Sequence, residues 1–266
     1  MISTVEYHDT FIRYSDLGYG EPVVLLHGYL ESLEIWDGFA DELSADYRVI
    51  CVDLPGHGRS GIFSSIDSMA IMADAVKHVL DFLGIGRAVI IGHSMGGYVA
   101  LAFEDFYPEV TIGFGLFHSH AQADPEDKKT NRDREIALVK AGRKHQFINL
   151  NIPNAFATDN LEKFGEQVER CRQIALATPD NGIILALEGM KVRPDRKDVM
   201  KISTDPLLVI AGKKDNYIPF EVYEQHFKLN QATEVVILEN SGHMGFIEEK
   251  EKSLQGVRHF LKKIYS

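Results

Sequence analysis

Two periodicities alternate along this chain. The runs Pro22-Val23-Val24-Leu25-Leu26, Arg48-Val49-Ile50-Cys51-Val52, Val89-Ile90-Ile91-Gly92, Thr111 to Phe117, Pro206 to Gly212 and Glu234 to Leu238 are almost continuously apolar. A run with no regular polar position is expected of a strand covered on both faces. Between these runs the apolar residues recur at helical spacing. Ile35, Trp36, Phe39 and Leu43 predict a helix over Ser32 to Ala45. Ile66, Met69, Ala73, Val76, Leu80 and Leu83 form a stripe that Gly84 and Gly86 stop. Further helices are expected around Val222 to Phe227 and at the end of the chain, where Leu254, Val257, Leu261 and Ile264 face one way. The opening, Val5 to Asp16, mixes β-branched and aromatic residues with polar ones and closes at Gly18 and Gly20, which predicts an antiparallel hairpin at a sheet edge.

The alternation stops between Ala121 and Met200. No convincing strand occurs there, Asp124-Pro125-Glu126-Asp127 has the chemistry of a helix start, and Ile174 to Ala177 and Ile183 to Met190 are helical candidates. The pattern as a whole predicts an α/β fold, a mostly parallel, doubly wound sheet with an inserted helical cap. Residues 1–120 and 201–266 would form the core and residues 121–200 the cap. Ligand groups are then expected at the carboxyl ends of the strands.

Composition narrows the functional classes. Hydrophobic residues make up 45% and charged ones 25%, an ordinary globular balance that gives no case for disorder. A formal net charge of −11 disfavours binding to phosphate backbones or anionic lipid, so neither nucleic acid nor a membrane surface is an expected partner. The longest uncharged stretch, Ala88 to Phe103, is too short to span a bilayer and is broken by glycines, His93 and Ser94. The first residues carry no basic start followed by an apolar block, and the two cysteines, Cys51 and Cys171, suggest free thiols in a reducing compartment. A cytoplasmic location is expected.

The candidate chemistry lies where strands end. Gly92-His93-Ser94-Met95-Gly96 follows an apolar run and opens a helix-compatible segment, the pattern of a nucleophile elbow. Small residues two before and two after the serine let the chain pass itself in so tight a turn. The other strand ends carry His27-Gly28, Asp53, His118, Asp215 and His243. A serine hydroxyl is a poor nucleophile until a base takes its proton, and a histidine doing so needs a carboxylate to fix its tautomer. Ser94, His243 and Asp215 supply these functions in the chain order given for α/β-hydrolases.

Through His27-Gly28, Asp53-x-Pro55-Gly56-x-Gly58-x-Ser60, Gly92-His93-Ser94-Met95-Gly96-Gly97, Gly212-x-x-Asp215 and Gly242-His243, the chain resembles an α/β-hydrolase of the serine esterase and lactonase type. The resemblance implies an oxyanion hole made by the backbone N–H groups of Tyr29 and Met95. In some members the acid follows an earlier strand, which would make Asp124 the alternative to Asp215. Asp53, His57 and Ser60 are expected to tie down a loop, and His27 to hydrogen-bond loop backbone. His118-x-His120 is too little for a metal site without a third ligand, and both are expected in the substrate pocket with Leu30, while Met190, Tyr217, Met244 and Phe246 either line it too or only fill core. The mechanism requires no cofactor and no metal.

The expected activity is hydrolysis of a small or medium carboxylic ester through an acyl-enzyme. The same triad serves lactone opening, thioester cleavage, perhydrolysis and C–C bond hydrolysis, which the cap and pocket would decide. A ligand receptor without turnover on this scaffold is the alternative from another class.

Overall fold

The computed structural model describes residues 1–63 and 68–266. Its centre is an eight-stranded sheet in the order β1 (Ile2–Tyr7), β2 (Thr10–Leu17), β4 (Arg48–Val52), β3 (Pro22–Leu26), β5 (Ala88–His93), β6 (Thr111–Phe117), β7 (Leu207–Gly212) and β8 (Thr233–Leu238). From β4 to β8 every pairing is parallel, while β1 with β2 and β2 with β4 are antiparallel. The expected hairpin therefore forms the edge. β5 and β7 are buried at every residue, which is why their sequences carry no polar alternation, whereas β8 at the opposite edge stays partly exposed.

The helices are α1 (Phe39–Leu43), α2 (Met69–Phe82), α3 (Met95–Phe106), α4 (Glu126–Lys140), α5 (Lys144–Asn154), α6 (Gly165–Ala177), α7 (Asp180–Val192), α8 (Lys197–Ile202), α9 (Phe220–Phe227), α10 (Gly245–Glu248) and α11 (Lys250–Tyr265). From α4 to α8 the chain runs between β6 and β7 and, among the described residues, adds no strand. The expected boundary at residue 200 falls inside α8. Ile66, expected to open the stripe of α2, lies outside the described residues; the helix there is capped by Ser68, whose hydroxyl accepts the Ile71 N–H at 3.4 Å.

One expected element is different. The helix expected over Ser32 to Ala45 is a 3-10 turn at Leu33–Trp36 and the short α1, separated at Gly38 with φ 74°. The 3-10 turn is held from a distance. Asp53, beyond β4, accepts the Leu33 N–H through Oδ1 at 2.7 Å and the Arg59 N–H through Oδ2 at 2.9 Å, so it fixes both loops at once. Ser60 completes the tie, its Oγ–H donating to the Asp53 carbonyl at 2.7 Å. A Cβ on Gly58 would meet the Asp53 carboxylate at 2.2 Å, so this loop requires glycine there. Cys51 and Cys171 are free and buried, and no helix among the described residues is long and apolar enough to cross a membrane.

Candidate active site

Ser94 sits between the last residue of β5 and the first of α3 with φ 50° and ψ −114°, a conformation costly for a residue with a side chain. The turn is tight enough that a Cβ on Gly92 would meet the Gly96 carbonyl oxygen at 2.0 Å, and one on Gly96 the Leu26 carbonyl oxygen at 2.4 Å. Glycine at both positions is what lets strand, turn and helix pass. The Ser94 backbone is held by its N–H to the Phe117 carbonyl at 2.9 Å and by the Ser119 hydroxyl to its carbonyl at 2.7 Å. Leu30 and His118 also have positive φ, 62° and 46°, so of the four such non-glycine residues among those described only His8, in the β1–β2 hairpin, lies away from this sheet edge.

Asp215 follows β7, and its carboxylate is buried. Its Oδ1 accepts the N–H groups of Tyr217 at 2.8 Å and Ile218 at 3.1 Å. Its Oδ2 accepts the Tyr223 hydroxyl at 2.7 Å and the His243 Nδ1–H at 2.8 Å. Burial alone would raise this carboxyl, but His243 and His118 outweigh it and hold Asp215 well below the usual carboxylate range. With Nδ1–H spent on Asp215, the Nε2 lone pair of His243 is left for a proton from the cavity it lines.

The loop carrying His243 follows β8 and is fastened to the chain after α5. The His243 N–H donates to the Ala155 carbonyl at 2.7 Å. Glu248 in α10 collects the Gly242 N–H at 2.9 Å and the Ala157 N–H at 2.9 Å, so one carboxylate joins the two segments.

Beneath Ser94 lies a second imidazole–carboxylate pair that the residue pattern had not pointed to. Glu31 Oε2 accepts the Gly28 N–H at 2.5 Å and lies 3.0 Å from His93 Nδ1, while His93 Nε2 lies 2.9 Å from the His243 carbonyl. Burial opposes both charges, yet mutual pairing prevails: Glu31 is held below the ordinary carboxylate range and His93 above the ordinary imidazole range. An imidazolium then donates from both nitrogens, linking the loop after β3, the residue before the elbow serine, and the loop of His243. The adjacency of His93 to Ser94 was the only sequence signal for it.

His27 meets its expectation as a loop tie: Nδ1–H faces the Gly28 carbonyl at 2.8 Å and Nε2 accepts the Leu54 N–H at 2.9 Å. Burial lowers it to about 4, so it is neutral. Met95 opens α3, where a first-turn N–H has no partner within the helix. Tyr29 follows His27-Gly28 on the cavity wall.

Ser94, His243, Tyr29, Leu30, His120, Met190, Tyr217 and Met244 all line one cavity of about 500 Å³. His118, expected there, does not line it, and Phe246 fills core instead. His118 is fully buried behind Asp215, with Nδ1 3.6 Å from Asp215 Oδ2 and Nε2 accepting the Gly245 N–H at 3.1 Å. Burial lowers it to about 4, so it meets the acid as a neutral ring. Phe246 packs on Trp36, with ring centroids 4.6 Å apart. Asp124 reaches the cavity wall, but its carboxylate is taken by Arg132 and by Arg193, at 2.7 Å to Nη1 of the latter.

His118, Asp215 and His243 hold ligand-type atoms within 4.8 Å of one another. A metal does not fit them. The His118 Nε2 lone pair is committed to Gly245 and the facing atoms of Asp215 and His243 to each other.

The profile of the alpha/beta hydrolase fold family matches residues 21–250. A 2-hydroxy-6-oxononadienedioate/2-hydroxy-6-oxononatrienedioate hydrolase of Burkholderia vietnamiensis is 30% identical, over 95% of this chain and 91% of its own length. The dihydrolipoyllysine-residue acetyltransferase component of the acetoin cleaving system of Pseudomonas putida is 31% identical, over 95% of this chain and 67% of its own. Among solved structures, a thermophilic esterase of Thermogutta terrifontis with malate bound superimposes with a TM-score of 0.94 at 30% identity, covering all of both chains.

Proposed function

Because the chain belongs to the α/β-hydrolase fold family, we propose that it hydrolyses small or medium carboxylic esters through a covalent acyl-enzyme on Ser94. The observation that carries this reading is the 2.8 Å contact from His243 Nδ1 to Asp215 Oδ2 on the wall of the cavity that Ser94 also lines. Ser94 Oγ attacks the ester carbonyl as His243 Nε2 takes its proton. The oxyanion is met by the N–H groups of Tyr29 and Met95, each such donor worth a few kcal/mol in the transition state. Collapse expels the alcohol with the proton from His243, and water, deprotonated by the same nitrogen, releases the acid. Residues 121–200 act as the cap that closes the cavity over Ser94, with the remainder as the catalytic core.

The esterase of Thermogutta terrifontis, similar over its whole length, supports ester cleavage. The Burkholderia vietnamiensis relative makes hydrolysis of a C–C bond in a diketone acid the second reading, using the same nucleophile and base.

The test is release of 4-nitrophenol from 4-nitrophenyl acetate and butyrate by the protein and by Ser94→Ala. Turnover that vanishes in the variant is expected; equal slow release by both would end the ester reading. Ser94-dependent cleavage of a diketone acid faster than that of any ester would favour the second.

A further inference from the structure

The cavity has one side of unexpected chemistry. Lys128, Asn131, Arg132 and Glu135 of α4 line it, and their spacing of three and four residues makes them one face of that helix. α4 buries Ile136 and Val139, packs against α7, and turns a charged face to the space above Ser94. Leu30, Ile152, Phe156, Met190 and Met244 give the rest of the lining an apolar share, beside polar groups such as Glu31 and Asn151.

The charges on that side do not cancel. Arg132 and Arg193 share the single carboxylate of Asp124. Lys128 is exposed at the rim, and its one hydrogen bond among the described residues is to the Tyr217 carbonyl at 3.4 Å. On the cavity wall itself Lys128 and Arg132 stand against Asp124 and Glu135; Arg193, behind the wall, answers Asp124 from the other side, and with it the group carries one positive charge over. Glu135 has no hydrogen bond among the described residues, and the buried Tyr29 hydroxyl, on the wall of the same cavity, has no partner among them either. A buried hydroxyl ordinarily finds a partner, so this one is a donor available to a ligand.

From these observations we propose that the inner face of α4 is an anion subsite, and that the preferred substrates are esters bearing a carboxylate, held by Arg132, Lys128 and the Tyr29 hydroxyl while the ester carbonyl lies at Ser94. This rests on the ester reading above and names the substrate class within it. The apolar share of the lining takes the chain between the two ends. A neutral ester would leave the surplus charge and the donors unanswered, at the cost of burying unpaired polar groups.

The experiment compares charged and neutral partners of similar size: monomethyl adipate against methyl hexanoate, with the carboxylate on the acyl side, and O-butyryl glycolate against ethyl butyrate, with it on the alcohol side. Acid release is followed by pH-stat with the protein, Ser94→Ala, Arg132→Gln and Lys128→Gln. In at least one pair the charged ester should exceed its partner in kcat/KM by about tenfold or more, as a charge-assisted hydrogen bond would give. That ratio should fall by about as much in Arg132→Gln, through KM, and by less in Lys128→Gln at the rim. The pair that responds identifies the side on which the anion sits. Arg193 stays with Asp124 in Arg132→Gln, and the exposed Lys128 keeps the test informative should that variant fold poorly. Ser94-dependent turnover of the neutral esters with no advantage for either charged one overturns this inference and leaves ester hydrolysis standing. A ratio that neither substitution moves overturns it too. No Ser94-dependent turnover of any of the four removes both.

Discussion

Asp215 with His243 and Glu31 with His93 are built from the same two groups, with ring nitrogen and carboxylate oxygen 2.8 and 3.0 Å apart and the two imidazoles 4.9 Å from each other. They differ in what the second ring nitrogen does. In His93 it is spent on the carbonyl of His243, so the ring is a cross-brace with both hydrogens committed. In His243 it is left to the cavity. A carboxylate beside a histidine therefore does not by itself make a base; a free nitrogen on the wetted side does.

The sharpest way to break the comparison is to disable the pair on the cavity. Asp215→Asn leaves the carbonyl of the side chain but not the charge, and kcat on 4-nitrophenyl butyrate should drop by roughly 10³–10⁴-fold. A loss below tenfold would mean that Asp215 is not what orients His243.

The buried pair should respond in stability instead. Glu31→Gln removes one partner from a desolvated ion pair, and urea unfolding should register a loss of about 3–5 kcal/mol. The pH dependence has a defined sign. Glu31, lowered in the fold, stabilises above its unfolded value and loses that contribution as pH falls through its folded one; His93, raised, stabilises below its unfolded value and loses it as pH rises through its folded one. The advantage of the natural protein over Glu31→Gln should thus be greatest between about pH 4.5 and 6.5 and decline on either side. A difference that is flat from pH 4 to 9 would show that the pair is not ionised.

The smallest effect is expected from a support of the first pair. Tyr223→Phe removes one of the donors on Asp215 Oδ2, and kcat should fall about three- to tenfold, the value of one hydrogen bond among several. Unchanged kcat would mean that the other donors suffice.

The parallel strands were legible because doubly covered strands carry continuous apolar runs, and each strand end then offered its chemistry in order: Ser94, Asp215, His243. The break at Gly38 was not, because the apolar spacing runs on across it, although glycine there permits the positive φ of 74° that separates the 3-10 turn from α1. α5 was missed as well. Its buried residues, Phe147, Ile148 and Ile152, make a weak stripe, and Pro153 inside its last turn argues locally against a helix. The brace of Glu31 and His93 joins residues 62 positions apart, and the clamp of Glu248 on Ala157 joins residues 91 apart. No local spacing announces either. His118 carried the residue type of a pocket ligand but not the exposure, since the register of β6 turns it behind Asp215.

The fastening of His243 to Ala155, and of both segments to Glu248, bears on traffic. A flap hinged so that the chain after α5 lifted away would carry the His243 loop with it. An opening that leaves that loop in place has to come from elsewhere on the cavity wall, where Pro125, Lys128 and Asn131 are exposed. On the proposed ester reading, enlarging one of those exposed residues should exclude branched alcohols before it slows straight ones.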